Sequence, residues 1–100
     1  MPAFKVEVPH NLTQDEVTQR LKTFVQQSMQ QYQQHLKSAD GDWNGNVLSF
    51  SVTAAGMSVN GTMTVEEKEV HVDGQLPMLA LPFRSAIQNA IASELKKALA

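Results

Sequence analysis

The chain has no cysteine, so disulfides and thiolate chemistry are excluded, although no compartment follows from that. Its five glycines stand singly among other residues, which leaves no glycine-rich loop to cradle a phosphate. Charge is sparse. Only 18% of residues are charged, with a formal net charge of -2. A chain of this kind projects no broad positive field, which disfavours a nucleic-acid partner held through its phosphates. No stretch approaches the roughly 20 apolar residues of a membrane span, so no transmembrane segment is expected. The opening Met1-Pro2-Ala3-Phe4-Lys5-Val6-Glu7 lacks the apolar region of a secretory signal. Cytoplasmic residence is the resulting expectation.

Catalytic signatures are also missing. His10, His35 and His71 fall in three different elements, with neither an i, i+4 pair nor a His-Glu-x-x-His, so solvated side chains are expected rather than metal ligands, with His10 a surface or capping residue. Asp15 and Glu16 suit a helix start. Asp40 and Asp42 fall in turn material, and Glu66, Glu67 and Glu69 in a hairpin. None has the apolar surroundings that tune a carboxylate for acid catalysis. No serine stands in a Gly-x-Ser-x-Gly elbow. The expectation is a protein without enzymatic activity, cofactor or metal.

What is present is enough apolar material for one core. The 100 residues, 42% of them hydrophobic, match a single domain spanning 1–100. Phe4, Val6 and Val8 alternate with Lys5 and Glu7, the period of a half-buried strand, and Pro9 ends it. Thr13 with Glu16 fits a capping box, flanked by Leu12 and Val17 as a hydrophobic staple. From there Val17, Leu21, Val25, Met29, Tyr32 and Leu36 recur at helical spacing, with Phe24 widening the stripe. The opposite face, rich in glutamine from Gln14 to Gln34, is read as a solvated surface. The pattern predicts a helix ending near Lys37 or Ser38, followed by turns at Asp40-Gly41-Asp42 and Asn44-Gly45 on either side of Trp43.

Three strands are predicted next. Leu48, Phe50 and Val52 form one apolar face, then Met57, Val59, Gly61, Met63 and Val65, then Val70 and Val72. Asn60-Gly61 is a strong dipeptide for a type I′ turn. A turn at Ala55-Gly56 instead keeps the alternation from Met57 to Val65 unbroken, and is preferred. Gly61 then marks a bulge or a close approach by another group. Glu66 to Lys68 makes the next turn. A second helical stripe comprises Phe83, Ala86, Ile87, Ala90, Ile91, Leu95, Ala98 and Leu99, with Pro82 in the first turn and Lys96 and Lys97 at the negative pole. The order β-α-β-β-β-α implies an α+β two-layer sandwich: about four mostly antiparallel strands with two helices on one face.

Leu76 to Phe83, Leu-Pro-Met-Leu-Ala-Leu-Pro-Phe, is the most unusual segment. It is a buried hinge, a subunit interface or a docking surface. Leu76, Met78, Leu79, Leu81 and Phe83 are accordingly candidate residues for binding a partner or a hydrophobic surface. A candidate pocket between sheet and helices comprises Trp43, Phe50, Met57, Met63 and Ile87. Trp43 is read as a lid on the core or a stacking residue. The methionines are gap-fillers or lining for an adaptable apolar surface. Arg84 opposes the helix dipole, as a screened surface charge or a contact for an acidic group.

Val6-Glu-Val-Pro-His-Asn-Leu-Thr-Gln-Asp-Glu-Val17, Val47-Leu-Ser-Phe50, Gly56-Met-Ser-Val-Asn-Gly61-Thr-Met-Thr-Val65 and Leu76 through Leu95 occur in this order. The pattern resembles the putative polyhydroxyalkanoic acid system protein family, also called the polyhydroxyalkanoate granule-associated region family. The resemblance spans nearly the whole chain, and its motifs are structural. It implies a small bacterial protein linked to polyhydroxyalkanoate storage, and carries over no catalytic residue. The glutamine face of the first helix departs from the more charged face expected for the family, which weighs against a charge-mediated role there.

The functional expectation is therefore a non-enzymatic protein binding a hydrophobic polymer granule or a granule protein. Two alternatives accompany it: a homodimeric structural module, and a carrier of a small hydrophobic ligand in the sheet-helix pocket.

Overall fold

The computed structural model describes residues 3–54 and 56–100. Its elements are β1 (Ala3–Pro9), α1 (Gln14–Gln31), β2 (Ser38–Asn44), β3 (Val47–Ala54), β4 (Met57–Val65), β5 (Glu69–Gln75), a 3-10 helix (Met78–Phe83) and α2 (Arg84–Leu99). The strands form one five-stranded antiparallel sheet in the order β1-β5-β4-β3-β2. The α+β class holds, with one strand more than the periodicity indicated.

That extra strand is β2. Its sequence, Ser-Ala-Asp-Gly-Asp-Trp-Asn, is poor in strand formers. It is held by seven-residue pairing with β3, from Ser38↔Thr53 to Asn44↔Val47. As an edge strand it exposes Asp40 and Asp42, charges that discourage further edge-to-edge pairing. The predicted helix end is corrected accordingly. Helix α1 stops at Gln31, with the Tyr32 N–H bonded to the Ser28 carbonyl, so the chain can cross to β2. Gly45, at φ 62°, takes the left-handed conformation in the tight β2–β3 connection.

The next hairpin also closes tightly, pairing Ala54 with Met57, and Gly56 has φ 77°. Ala55 of the preferred turn lies outside the described residues. The register runs unbroken through Asn60 and Gly61, so Gly61 marks a close approach rather than a bulge. Gly61 faces Gly74 across the strands. A Cβ on Gly61 would meet the Asp73 carbonyl, and one on Gly74 would overlap the Phe4 ring. Gly74 thus makes room for the buried Phe4 ring, and Gly61 for the backbone of the neighbouring strand.

Strand alternation divides the sheet into two unlike faces. Phe4, Val6, Val8, Leu48, Met63, Val65, Val70 and Val72 are buried with Val17 and Leu21 of α1 and Leu95 of α2. Lys5, Glu7, Ser49, Ser51, Asn60 and Asp73 on the opposite face are exposed. The start of α1 is capped as expected, with the Glu16 N–H donating to Thr13 Oγ1 at 3.2 Å. The Glu16 carboxylate instead accepts from Arg20 Nη2 at 3.3 Å, an exposed pair of small energetic weight.

Proline and histidine before the helix have a specific structural use. The His10 N–H donates to the Lys68 carbonyl at 2.8 Å. The Leu12 N–H donates to His10 Nδ1 at 3.2 Å, which leaves the proton on Nε2, 3.0 Å from the Glu66 carbonyl. His10 is buried, so of the two sequence readings the capping role holds and the surface one does not. It ties the β1–α1 connection to the β4–β5 turn.

Candidate functional site

The apolar run Leu76 to Phe83 folds so that it serves two environments. Leu76 and Ala80 are 0% and 3% exposed and belong to the core. Met78, Leu79, Leu81 and Phe83 are 71%, 81%, 38% and 60% exposed. The Ala80 N–H bonds to the Pro77 carbonyl at 2.9 Å, the i to i+3 closure of a 3-10 turn. Pro82 lies inside the 3-10 helix, and α2 begins at Arg84. Phe83 therefore leaves the helical stripe assigned to it and faces solvent. Arg84 Nη1 donates to the Ala3 carbonyl at 3.2 Å, which fastens the segment to the start of β1. Neither sequence reading of Arg84 anticipated that backbone contact.

These four exposed apolar side chains sit on anchored backbone, since Leu76 and Ala80 are buried in the core. Large apolar side chains left exposed are unfavourable in water, and contiguous patches of them mark docking surfaces. The four side chains themselves carry no charge.

A second apolar feature lies between the helices. At one end α1 and α2 are fastened together, with Arg20 Nη1 donating to the Ala100 carbonyl at 3.0 Å. Away from that end they leave part of the sheet uncovered, forming a cavity of about 400 Å³. Phe24 and Met29 of α1, with Tyr32 at its C-cap, form one wall, Ile91 of α2 the other, and Phe50 and Met63 the floor. Phe50 and Met63 are two of the five predicted pocket residues.

The other three lie elsewhere. Met57 sits at the end of the β3–β4 hairpin, on the last rung opposite Ala54, and is exposed. Trp43 packs partly buried against the core, with Lys22 Nζ 5.7 Å from its ring centroid. It acts as a lid, stabilised by a weak cation–π contact. Ile87 packs against the core. Alternation places Met57 and Trp43 on the correct face, but says nothing of their position along the strand relative to the helices. Leu36, Ser28 and Ala90, not anticipated as pocket residues, complete part of the lining.

The polar face of the sheet contains one further grouping. Glu7 pairs with His71 across β1 and β5. His71 Nδ1 is 3.5 Å from Glu7 Oε1, and its Nε2 is 3.1 Å from Glu69 Oε1. Among the described residues, these are the three ligand-type side chains close enough to hold a metal together. Each ring nitrogen faces a carboxylate on a solvated surface. Spacing could not reveal it, because the cross-strand register is invisible in the sequence. Among the described residues, no helix is long and apolar enough to cross a membrane.

Neither a curated protein nor a solved structure matches the chain. A family model does, described as "Putative polyhydroxyalkanoic acid system protein", and it covers residues 4–99. This span includes both sheet edges, both helices and the whole exposed run. The chain therefore belongs to the putative polyhydroxyalkanoic acid system protein family, which associates it with the polyhydroxyalkanoate system.

Proposed function

We propose that this is a non-enzymatic protein that docks on the hydrophobic surface of a polyhydroxyalkanoate granule through Met78, Leu79, Leu81 and Phe83. The observation that carries the reading is the exposure of these four apolar side chains on backbone anchored by Leu76 and Ala80. A polyester surface is uncharged and apolar, matching a patch whose own side chains carry no charge. Family membership supplies the polymer.

A second copy of the chain is the competing occupant. Four side chains expose on the order of a few hundred Å², short of the roughly 800 Å² that each partner contributes to a standard interface. A polymer surface has no such requirement, because many molecules adsorb side by side.

Co-sedimentation of the full chain with purified granules tests the proposal, alongside light scattering of the free protein. Retention on granules at low and high salt, with a monomer in solution, is expected. A stable dimer that hides the patch, or failure to sediment at either salt, would overturn it.

A further inference from the structure

We infer that Glu7, Glu69 and His71, on the polar face of the sheet, form a binding site for a divalent transition ion of the zinc class, which fastens the edge strand β1 to β5. Histidine spacing predicts no such site, because the three residues meet only through strand register. The register sets Glu7 of β1 directly opposite His71 of β5. Glu69, two residues before His71 on the same strand, projects from the same face. One ring nitrogen and one oxygen from each carboxylate all lie within 4.8 Å of one another. Tetrahedral donors at about 2.1 Å from a zinc ion stand about 3.4 Å apart, so modest rotations of the two glutamate side chains close the set. The imidazole is the most enclosed member, its side chain 30% exposed against 59% for Glu7 and 41% for Glu69.

Electrostatics favours a cation here. Like charges held this close across a sheet repel, and among the described residues neither Glu7 nor Glu69 pairs with a lysine or arginine. Other acids do: Asp73 pairs with Lys5, Glu16 with Arg20 and Glu94 with Lys97. A divalent ion balances both carboxylates while the imidazole binds it as a neutral ligand. The donor set also selects the ion. Imidazole nitrogen suits zinc, copper and nickel, whereas magnesium and calcium take oxygen donors. Three protein donors leave a position for water. Bound there, the ion ties β1 to β5 from the polar face. The Lys5 N–H, bonded to Gln88 Oε1 at 3.2 Å, and the Ala3 carbonyl, bonded to Arg84, already link β1 to α2. The site lies away from the exposed 3-10 side chains and is independent of the docking proposal.

The full chain, labelled with ¹⁵N, is titrated at neutral pH with zinc chloride and, separately, with magnesium chloride, and followed by NMR. Saturable one-to-one shifts at the amides of Glu7, Glu69 and His71 are expected with zinc and none with magnesium. Zinc should also raise the melting temperature, because it binds the folded chain. Losing an outer-shell partner alone costs about tenfold or more in metal affinity, so His71→Ala and Glu7→Gln should each weaken binding by at least that factor. Both positions lie on the uncovered face of the sheet, and an unchanged circular dichroism spectrum checks that the variants fold. His35 is exposed and outside the cluster, so His35→Ala should leave the affinity unchanged. Absence of saturable shifts, an equal response to magnesium, or no gain in melting temperature would each overturn the inference. So would unchanged affinity in His71→Ala or Glu7→Gln, or loss of binding in His35→Ala, either of which would mark adventitious binding at surface groups.

Discussion

Leu76 and Leu79 are three residues apart in one apolar run, yet the fold assigns them opposite duties, and truncating each should separate stability from docking. Leu76 is fully buried. Leu76→Ala removes core packing and leaves a cavity, at a cost of about 3 kcal/mol within the usual 2–5 kcal/mol range. A domain of this size is stabilised by about 5–15 kcal/mol in total, so the variant should still fold at low temperature. At about 4–8 °C per kcal/mol, its melting temperature should fall by roughly 12–24 °C. Leu79 is 81% exposed, and Leu79→Ala should stay within about 0.5 kcal/mol of wild type. Urea titration followed through the single tryptophan, Trp43, together with circular dichroism, measures both. The slopes should match, with only the Leu76→Ala midpoint displaced. Granule retention should show the converse: intact for folded Leu76→Ala and weakened for Leu79→Ala. Equal destabilisation by the two substitutions would refute the division of the run into plug and patch.

Two further substitutions probe the frame that holds this run in place. Gly74→Ala should destabilise by about 1–3 kcal/mol through overpacking, because its Cβ would overlap the Phe4 ring; Gly74→Ala combined with Phe4→Leu should recover part of that loss, and simple additivity in a denaturation cycle would contradict the clash. His10→Ala should cost about 1–3 kcal/mol by leaving the Leu12 N–H and Glu66 carbonyl without their side-chain partner, and faster amide exchange at Leu12 is the direct readout.

Much of this architecture could be read from period and punctuation. The two-residue alternation in β1, β3, β4 and β5 reports which face is buried, because only one side of the sheet is covered. Thr13 and Glu16 mark the helix start because capping is a local interaction. The strand β2 could not be read in the same way. Ser38–Asn44 resembles turn material, and its extended form depends on hydrogen bonds to β3. Leu36 continues the helical spacing although the helix has already ended, since the groove also uses an apolar residue there. His10 looks solvated until the β4–β5 turn folds against it. Phe50 and Met63 were identifiable as pocket residues from their face alone. Excluding Trp43, Met57 and Ile87 requires knowing where the helices stop covering the sheet, a tertiary property. The exposure of Leu79 beside buried Leu76 likewise depends on how the 3-10 helix after Pro77 seats on the core.

The most direct measurement is the binding isotherm of the full chain on purified polyhydroxyalkanoate granules, compared with that of Leu79→Ser/Phe83→Ser. Each apolar side chain transferred from water is worth about 1.5–3 kcal/mol, so the double variant should bind at least roughly a hundredfold more weakly. Its melting temperature should be near that of wild type, because both residues are exposed. Wild-type retention should persist at high salt, since screening does not weaken apolar contact. Unchanged affinity in the stably folded double variant, or release of wild type by salt alone, would contradict docking through the 3-10 patch.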